Sequence, residues 1–234
     1  MPNGPLLSVL LPTRNAAKTL AATLPKLAPI REAFPCEVIV ADGGSTDDTV
    51  AVAESFGAKV VRLPPGMPPG RGQQLRNAAL AARGEWLFFL HADSQPGTGW
   101  SEVVRKFTAE PENYHVAAVF RLALDSERKA ARRIERLVAW RCRVFGLPYG
   151  DQGLLLSRAL YDAVGGFAPI PIMEDVEIVR RLGKDRLAFL DAPLVTSAER
   201  YEKGGYWRRP FRNLVCLALY FLGASPARLR RFYG

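Results

Sequence analysis

The sequence predicts an α/β domain: a mostly parallel sheet with helices on both faces, followed by a C-terminal helical segment. Three observations predict it. Strand-like and helix-like segments alternate over the first 93 residues. The run Trp86-Leu87-Phe88-Phe89-Leu90 is apolar throughout, as a strand buried on both faces requires. That run stops at His91-Ala92-Asp93. Polar groups therefore stand at the strand's carboxyl end, where open α/β sheets bind ligands.

Each element follows from the residues in order. Leu6–Leu11 reads as the first strand, closed by Pro12. Ala16–Leu27 has helical spacing, with Asn15 as its N-cap. Val38–Ala41 is the second strand, and Asp47–Phe56 the next helix. Lys59–Leu63 is the third strand. Gln73–Arg83 is a helix stopped by Gly84, and the Trp86 strand follows. A βαβαβαβ succession implies right-handed crossovers and parallel pairing. Beyond Asp93 the alternation breaks down. Thr98–Phe107 and Asp175–Leu182 read as helices, and His115–Leu122, Gly153–Leu156 and Leu187–Leu190 as strands. Arg132–Phe145 has helical apolar spacing with a basic opposite face.

A chain of 234 residues fits one domain built from two fused halves. Cys36, Cys142 and Cys216 lie far apart and form no CxxC pair, which argues against a disulfide framework or a zinc site. A reducing, cytoplasmic setting is the expectation. The apolar run at the N-terminus is too short for a signal peptide.

The net charge of +9 is concentrated. Residues 128–143 carry seven Lys/Arg against one acid, and residues 201–234 the same, so each has a net of +6. The remainder is mildly acidic. Leu214–Ala224 is an uncharged run of eleven residues, too short to span a bilayer. Arg208, Arg209 and Arg212 precede it, and Arg228, Arg230 and Arg231 follow it. The basic segments predict an anionic partner: a membrane surface, met peripherally on its inner face, or a lipid-linked acceptor. A packed helix with a solvated basic face is the plainer reading of Arg132–Phe145.

Several groups could carry chemistry. Asp42-Gly43-Gly44-Ser45-Thr46-Asp47 follows the second strand. Ser45 or Asp47 can cap the next helix, while Asp42 can accept a hydrogen bond from a base or ribose. His91 and Asp93 can face one ion, and this pair suits Mn2+ or Mg2+. Otherwise Asp93 ends the strand in a turn with Ser94. Pro64–Gly72 is either a surface loop or a mobile flap carrying Arg71. Tyr149-Gly150-Asp151-Gln152-Gly153 is a polar turn whose acceptor-binding role the residues alone do not separate from a plain turn. Glu174-Asp175 begins a helix, where the macrodipole stabilises acids. The same place suits a general base at the mouth of a cleft.

In this order the motifs resemble the family 2 glycosyltransferases of GT-A fold, a Rossmann-like architecture. The opening Ser8-Val9-Leu10-Leu11-Pro12-Thr13-Arg14-Asn15 is similar to that family's first strand and turn. His91-Ala92-Asp93 stands in place of its DxD-type metal motif, and Glu174-Asp175 in place of its ED motif. Gly150–Gly153, Met173–Glu177 and Thr196–Arg200 look closer still to a bacterial subgroup, the radical-SAM/selenodomain-associated transferases. The resemblance covers about residues 6–200.

It implies a nucleotide-sugar donor, expected to be UDP-linked, and inverting transfer to an unknown hydroxyl acceptor. Residues 1–95 would bind the donor, 96–200 would form the acceptor-binding and catalytic half, and 201–234 would be basic and apolar helices. Pro12, Thr13, Asn15 and Asp42 would border the base or ribose. Arg71 would approach the base or diphosphate, Ala92 and Asp93 would meet the diphosphate, and Asp93 with His91 would hold the metal. Asp151 and Gln152 would contact the acceptor. Asp175, with Glu174 beside it, would be the catalytic base. Two departures stand out: His91 replaces the usual first acid of the metal motif, and Gly43 replaces the second acid after strand two.

A nucleotidyltransferase on a similar fold is the alternative enzyme, but Pro12-Thr13-Arg14-Asn15 lacks the Gly-rich run it needs. A basic nucleic-acid-binding protein is the non-enzymatic alternative. It lacks a recognisable motif, and no nucleic-acid partner is expected.

Overall fold

In a computed structural model, described over residues 7–64, 67, 70–206 and 208–233, eight strands form one sheet. They are β1 (Leu7–Thr13), β2 (Cys36–Asp42), β3 (Lys59–Arg62), β4 (Trp86–Phe89), β5 (Ser94–Pro96), β6 (Ala117–Leu124), β7 (Leu154–Ser157) and β8 (Leu187–Thr196). Their order is β3-β2-β1-β4-β7-β6-β8-β5. The first four are mutually parallel. β7 runs antiparallel to β4 and β6, β8 is parallel to β6, and β5 is antiparallel to β8.

Eleven α-helices complete the described chain. They are α1 (Ala17–Thr23), α2 (Ala28–Ala33), α3 (Thr49–Ser55), α4 (Arg71–Ala81), α5 (Trp100–Ala109) and α6 (Lys129–Phe145). α7 (Arg158–Ala163), α8 (Glu174–Leu182), α9 (Glu199–Gly204), α10 (Arg208–Phe221) and α11 (Pro226–Tyr233) follow. Alternate strand residues feed two cores, one on each face of the sheet. Leu7, Val9, Leu11 and Phe88 pack with Leu20, Leu27, Ile30 and Trp100. Leu10, Ile39, Leu87 and Phe89 pack with Leu75, Ala78, Leu160 and Ile178. The apolar run of β4 is thus fully buried because helices cover both sides of it.

The structure corrects several expectations. Pro12 does not close the first strand, which continues in register with β2 through Thr13. Leu10 O accepts from Leu90 N on the β4 side, and the paired residues of β1 and β4 end there. Pro12 faces that same side two residues later, where its missing N–H costs no ladder bond. Asn15 does not cap the first helix. It sits at φ 49°, and α1 has no side-chain cap of its own. The Ala16 and Ala17 amides donate instead to Thr49 Oγ1 at 2.8 Å and Asp47 Oδ2 at 3.1 Å. Asp47 also accepts from Thr49 N, so one carboxylate serves two helix starts.

β5 was not expected, because Ser-Gln-Pro carries no strand signal. It forms by pairing with the far end of β8. β8 itself runs longer than Leu187–Leu190: its register with β6 jumps from Leu190 to Pro193, and this irregularity carries the strand past Asp191 and Ala192. Leu6, Pro65, Gly66, Pro68, Pro69 and Trp207, which fall in the predicted strand, flap and tail, lie outside the described residues.

Candidate active site

The carboxyl ends of β1, β2 and β4 lie side by side, with Asp42 at the end of β2 and His91-Ala92-Asp93 just past β4. Asp42 ends β2 and is buried. Its carboxylate accepts from Gly44 N, Ser45 N and Ser45 Oγ, the last at 2.5 Å. The turn that follows is therefore folded around Asp42, and Ser45 serves Asp42 rather than capping α3. Asn15 Oδ1 accepts from Thr46 N at 2.8 Å, and Asn15 N donates to Ser45 Oγ. Asn15 thereby joins the loops after β1 and β2. Gln74, from α4, locks the same strand ends. Its amide donates to Thr13 O at 2.6 Å and Ala41 O at 2.9 Å. A Cβ on Gly43 would meet the Gln74 amide at 2.6 Å. This clip occupies the space where a second acid after Asp42 would begin.

The β4 end approaches the opposite wall. Ala92 O accepts from Thr23 Oγ1 at 2.8 Å, which ties the His91-Ala92-Asp93 turn to α1. Ser94 N donates to His91 O at 3.0 Å and closes that turn. His91 lies against Gly150: a Cβ on Gly150 would fall 2.4 Å from His91 Nε2 and 3.4 Å from Asp175 Oδ2. Gly150 N donates to Asp175 Oδ2 at 2.8 Å. His91 and Asp175, 84 positions apart in sequence, thus face one backbone unit. Asp175 Oδ1 accepts from Val176 N, so the carboxylate is oriented at both oxygens.

Glu174 points inward. It is fully buried, and one oxygen accepts from Arg71 Nε in a short ion pair. Among the described residues its other oxygen, also buried, meets no hydrogen-bond partner. Burial, and next to it Asp175, pushes the Glu174 carboxyl above its ordinary value, and Arg71 opposes this. Met173, just before it, is one of two non-glycine residues at positive φ among the described residues; the other is Asn15. Both flank the site, where backbone strain of about 1–3 kcal/mol each is held by surrounding contacts.

Arg71 begins α4, on a helix start packed tightly against residues 168–174. A Cβ on Gly72 would lie 2.2 Å from Ala168 O, and one on Gly70 would lie 3.0 Å from Pro171 Cα. The glycines after the Pro-rich segment permit close packing.

Gln152 is buried. Its amide donates to Phe120 O at 3.0 Å and accepts from Cys142 Sγ at 3.1 Å. That leaves it inside the protein, holding the turn, while Gly150 and Asp151 are half-buried. Arg141 adds a clamp: its guanidinium stacks 3.5 Å from the Tyr149 ring and donates to Leu147 O. A small cavity behind the turn is lined by His91, Tyr149, Gly150, Glu174 and Asp175 with apolar Phe89. Thr13, Asp42 and Asp93 lie outside that cavity. Sequence reasoning missed Gln74, Gly150's amide and Arg141. For Arg141 the Arg-rich helix leading into Tyr149 was a usable signal; Gln74 gave none.

Among the described residues no three His, Cys, Asp or Glu side chains converge as a metal cage. His91 and Asp93 stand two positions apart just past β4, and an imidazole with a carboxylate is a donor pair of the kind that suits Mn2+ or Mg2+.

Comparison with known proteins bears on this edge. The chain is 34% identical over 95 residues to glucosyl-3-phosphoglycerate synthase of Mycolicibacterium paratuberculosis (38% of this chain and 29% of that protein). The chain therefore matches well under two thirds of that relative's length. It superposes with a TM-score of 0.57 on the Mycobacterium tuberculosis synthase in complex with Mn2+, UDP-glucose and phosphoglyceric acid (23% identity, 81% of this chain, 71% of that one). S. aureus TarS in complex with UDP-GlcNAc gives a TM-score of 0.60 (20% identity, 82% and 58%). The sequence model of Glycosyl transferase family 2 matches residues 8–171, more than half of the chain. The chain belongs to glycosyl transferase family 2, and its sheet is the GT-A fold.

Proposed function

We propose that this protein transfers a sugar from a UDP-linked donor to a hydroxyl acceptor, with inversion at the anomeric carbon. The observation that supports the reading is the Gly150 bridge, which brings Asp175 and His91 against one backbone unit close to the end of β4. A single displacement needs a base on one side of the sugar and charge neutralisation on the other.

Asp175 takes the acceptor's hydroxyl proton. Gly150 N holds its carboxylate, and the turn 149–152 borders the acceptor. Gln152 supports that turn from inside. Pro12, Thr13, Asn15 and Asp42 form the base and ribose end. Asp93, Ala92 and Arg71 line the diphosphate end. Glu174 is a positioning residue, because it is buried against Arg71. Asp93 and His91 would hold Mn2+ or Mg2+, which when bound neutralises charge on the leaving diphosphate. Relatives named for UDP-glucose and Mn2+ complexes support this donor and metal. The wording of residues 150–153 and 173–177 supports placement among the radical-SAM/selenodomain-associated transferases.

A thermal-shift screen of UDP-, GDP- and dTDP-sugars, with and without Mn2+, tests the donor. Asp175→Asn should keep the UDP-sugar shift while turnover falls by about 10²–10⁴. Unchanged turnover, or no shift with any UDP-sugar, would reject the assignment.

A further inference from the structure

We infer that the outward face of α6 is a docking surface for an anionic lipid bilayer. Helix α6 buries Ala131, Ile134 and Cys142 against the protein, with Val138 packed alongside them. At 100° per residue the opposite face carries Lys129, Arg133, Arg136 and Arg143 together with Leu137, Trp140 and Val144. Trp140 is 54% exposed and Leu137 48% exposed, so these apolar groups stand in solvent. The helix has one acid, Glu135, and it turns inward to accept from Leu124 N and pair with Arg132. Among the described residues no ion pair reaches Lys129, Arg133, Arg136 or Arg143.

A polyanion such as nucleic acid would satisfy the cations and leave Leu137, Trp140 and Val144 in water. An acidic bilayer satisfies both: phosphates take the cations while Trp and Leu enter the headgroup boundary. Near its C-terminus α6 adds Phe145, whose ring meets Trp140 at 5.4 Å. A second exposed apolar stripe, Phe211, Leu214, Phe221 and Leu222, lies along α10 and just past its end. Both helices meet the chain around the end of α8: Lys184, two residues past that helix, donates to Val144 O, and Arg180 within it stacks on one side of the Phe221 ring.

Helix α6 runs directly into the turn that holds Asp175, through Gly146 and the Arg141–Tyr149 stack. A bilayer bound along α6 therefore lies next to the acceptor side of the cleft. Docking stands without the transferase reading; delivery of a membrane-borne acceptor rests on it.

Vesicle flotation tests docking directly and needs no activity. The protein should float with phosphatidylcholine vesicles containing phosphatidylglycerol at low salt, and much less with phosphatidylcholine alone or at high salt. Arg133→Glu with Arg136→Glu should weaken binding at least tenfold, since each surface cation is worth about fivefold. The charge-matched pair Lys18→Glu with Lys26→Glu should cost clearly less. Trp140→Ala should weaken binding at every salt concentration. Melting curves of all variants should match the parent. No flotation at low salt would overturn the inference. So would equal losses from the two charge-reversal pairs, or duplex DNA binding that α6 variants abolish while vesicles never bind.

Discussion

Gly150 has no Cβ, and a Cβ there would lie 2.4 Å from the His91 ring. The contact is with the end of a side chain, so an alanine would move His91 rather than break the fold. A shift of about 1 Å at a reacting site can cost about 10²-fold in rate. Gly150→Ala should thus lower turnover by roughly 10–10², while its melting temperature stays near that of the parent. Parallel stopped-rate assays and calorimetry check this; full activity would show that His91's place against Gly150 is immaterial. The neighbouring acids divide in the same local way. Asp175 is held at both oxygens at the cleft edge, whereas Glu174 is buried under Arg71. Adjacent carboxylates at a helix start were legible from sequence. The residues alone left open which one faces the cleft; the family resemblance pointed to Asp175, and in the fold the two are set apart just after the left-handed turn at Met173.

Helix α4 illustrates how an element meets its neighbours. Alanine is the better helix former by about 1 kcal/mol, so propensity alone favours Gly72→Ala. Packing opposes it, since the new Cβ would fall 2.2 Å from Ala168 O, which is backbone. Overpacking typically costs about 1–3 kcal/mol, and a backbone clash this close belongs at the upper end. The net should be a melting temperature lower by about 2–8 °C for a chain of this size. A higher melting temperature would mean that residues 168–170 yield freely. The Gly/Pro-rich stretch before Arg71 was readable as a special segment. Its glycines' reason was not, because the partner carbonyls lie about a hundred positions away in sequence. Asn15 makes the same point: it has the composition of a cap, yet the α1 amides are met by Thr49 and Asp47.

Across the whole molecule, one sheet runs through both halves of the chain. β4 pairs with β1 on one side and with β7, some 70 residues later, on the other. Residues 1–95 expressed alone would leave Trp86-Leu87-Phe88-Phe89 with an open edge and without Ile178 and Leu160 on one face. That fragment should give a collapsed or aggregated state with poor amide dispersion in NMR. A well-dispersed spectrum would establish that residues 1–95 fold by themselves. Among the described residues no helix is long and apolar enough to cross a membrane.

The sequence alone determined the α/β class, the parallel first four strands and the strand-end positions of Asp42, His91 and Asp93. These follow from local periodicity and from where apolar runs stop, which are short-range properties of the chain. Its motif order also pointed to the family. Tertiary structure decided the mixed parallel and antiparallel pairing of the second half of the sheet, the Gln74 clip, the inward turn of Glu174 and Gln152, and the Gly150 bridge between His91 and Asp175. Each of these depends on contacts between residues far apart in sequence, and no local pattern encodes which distant backbone will arrive beside a given side chain.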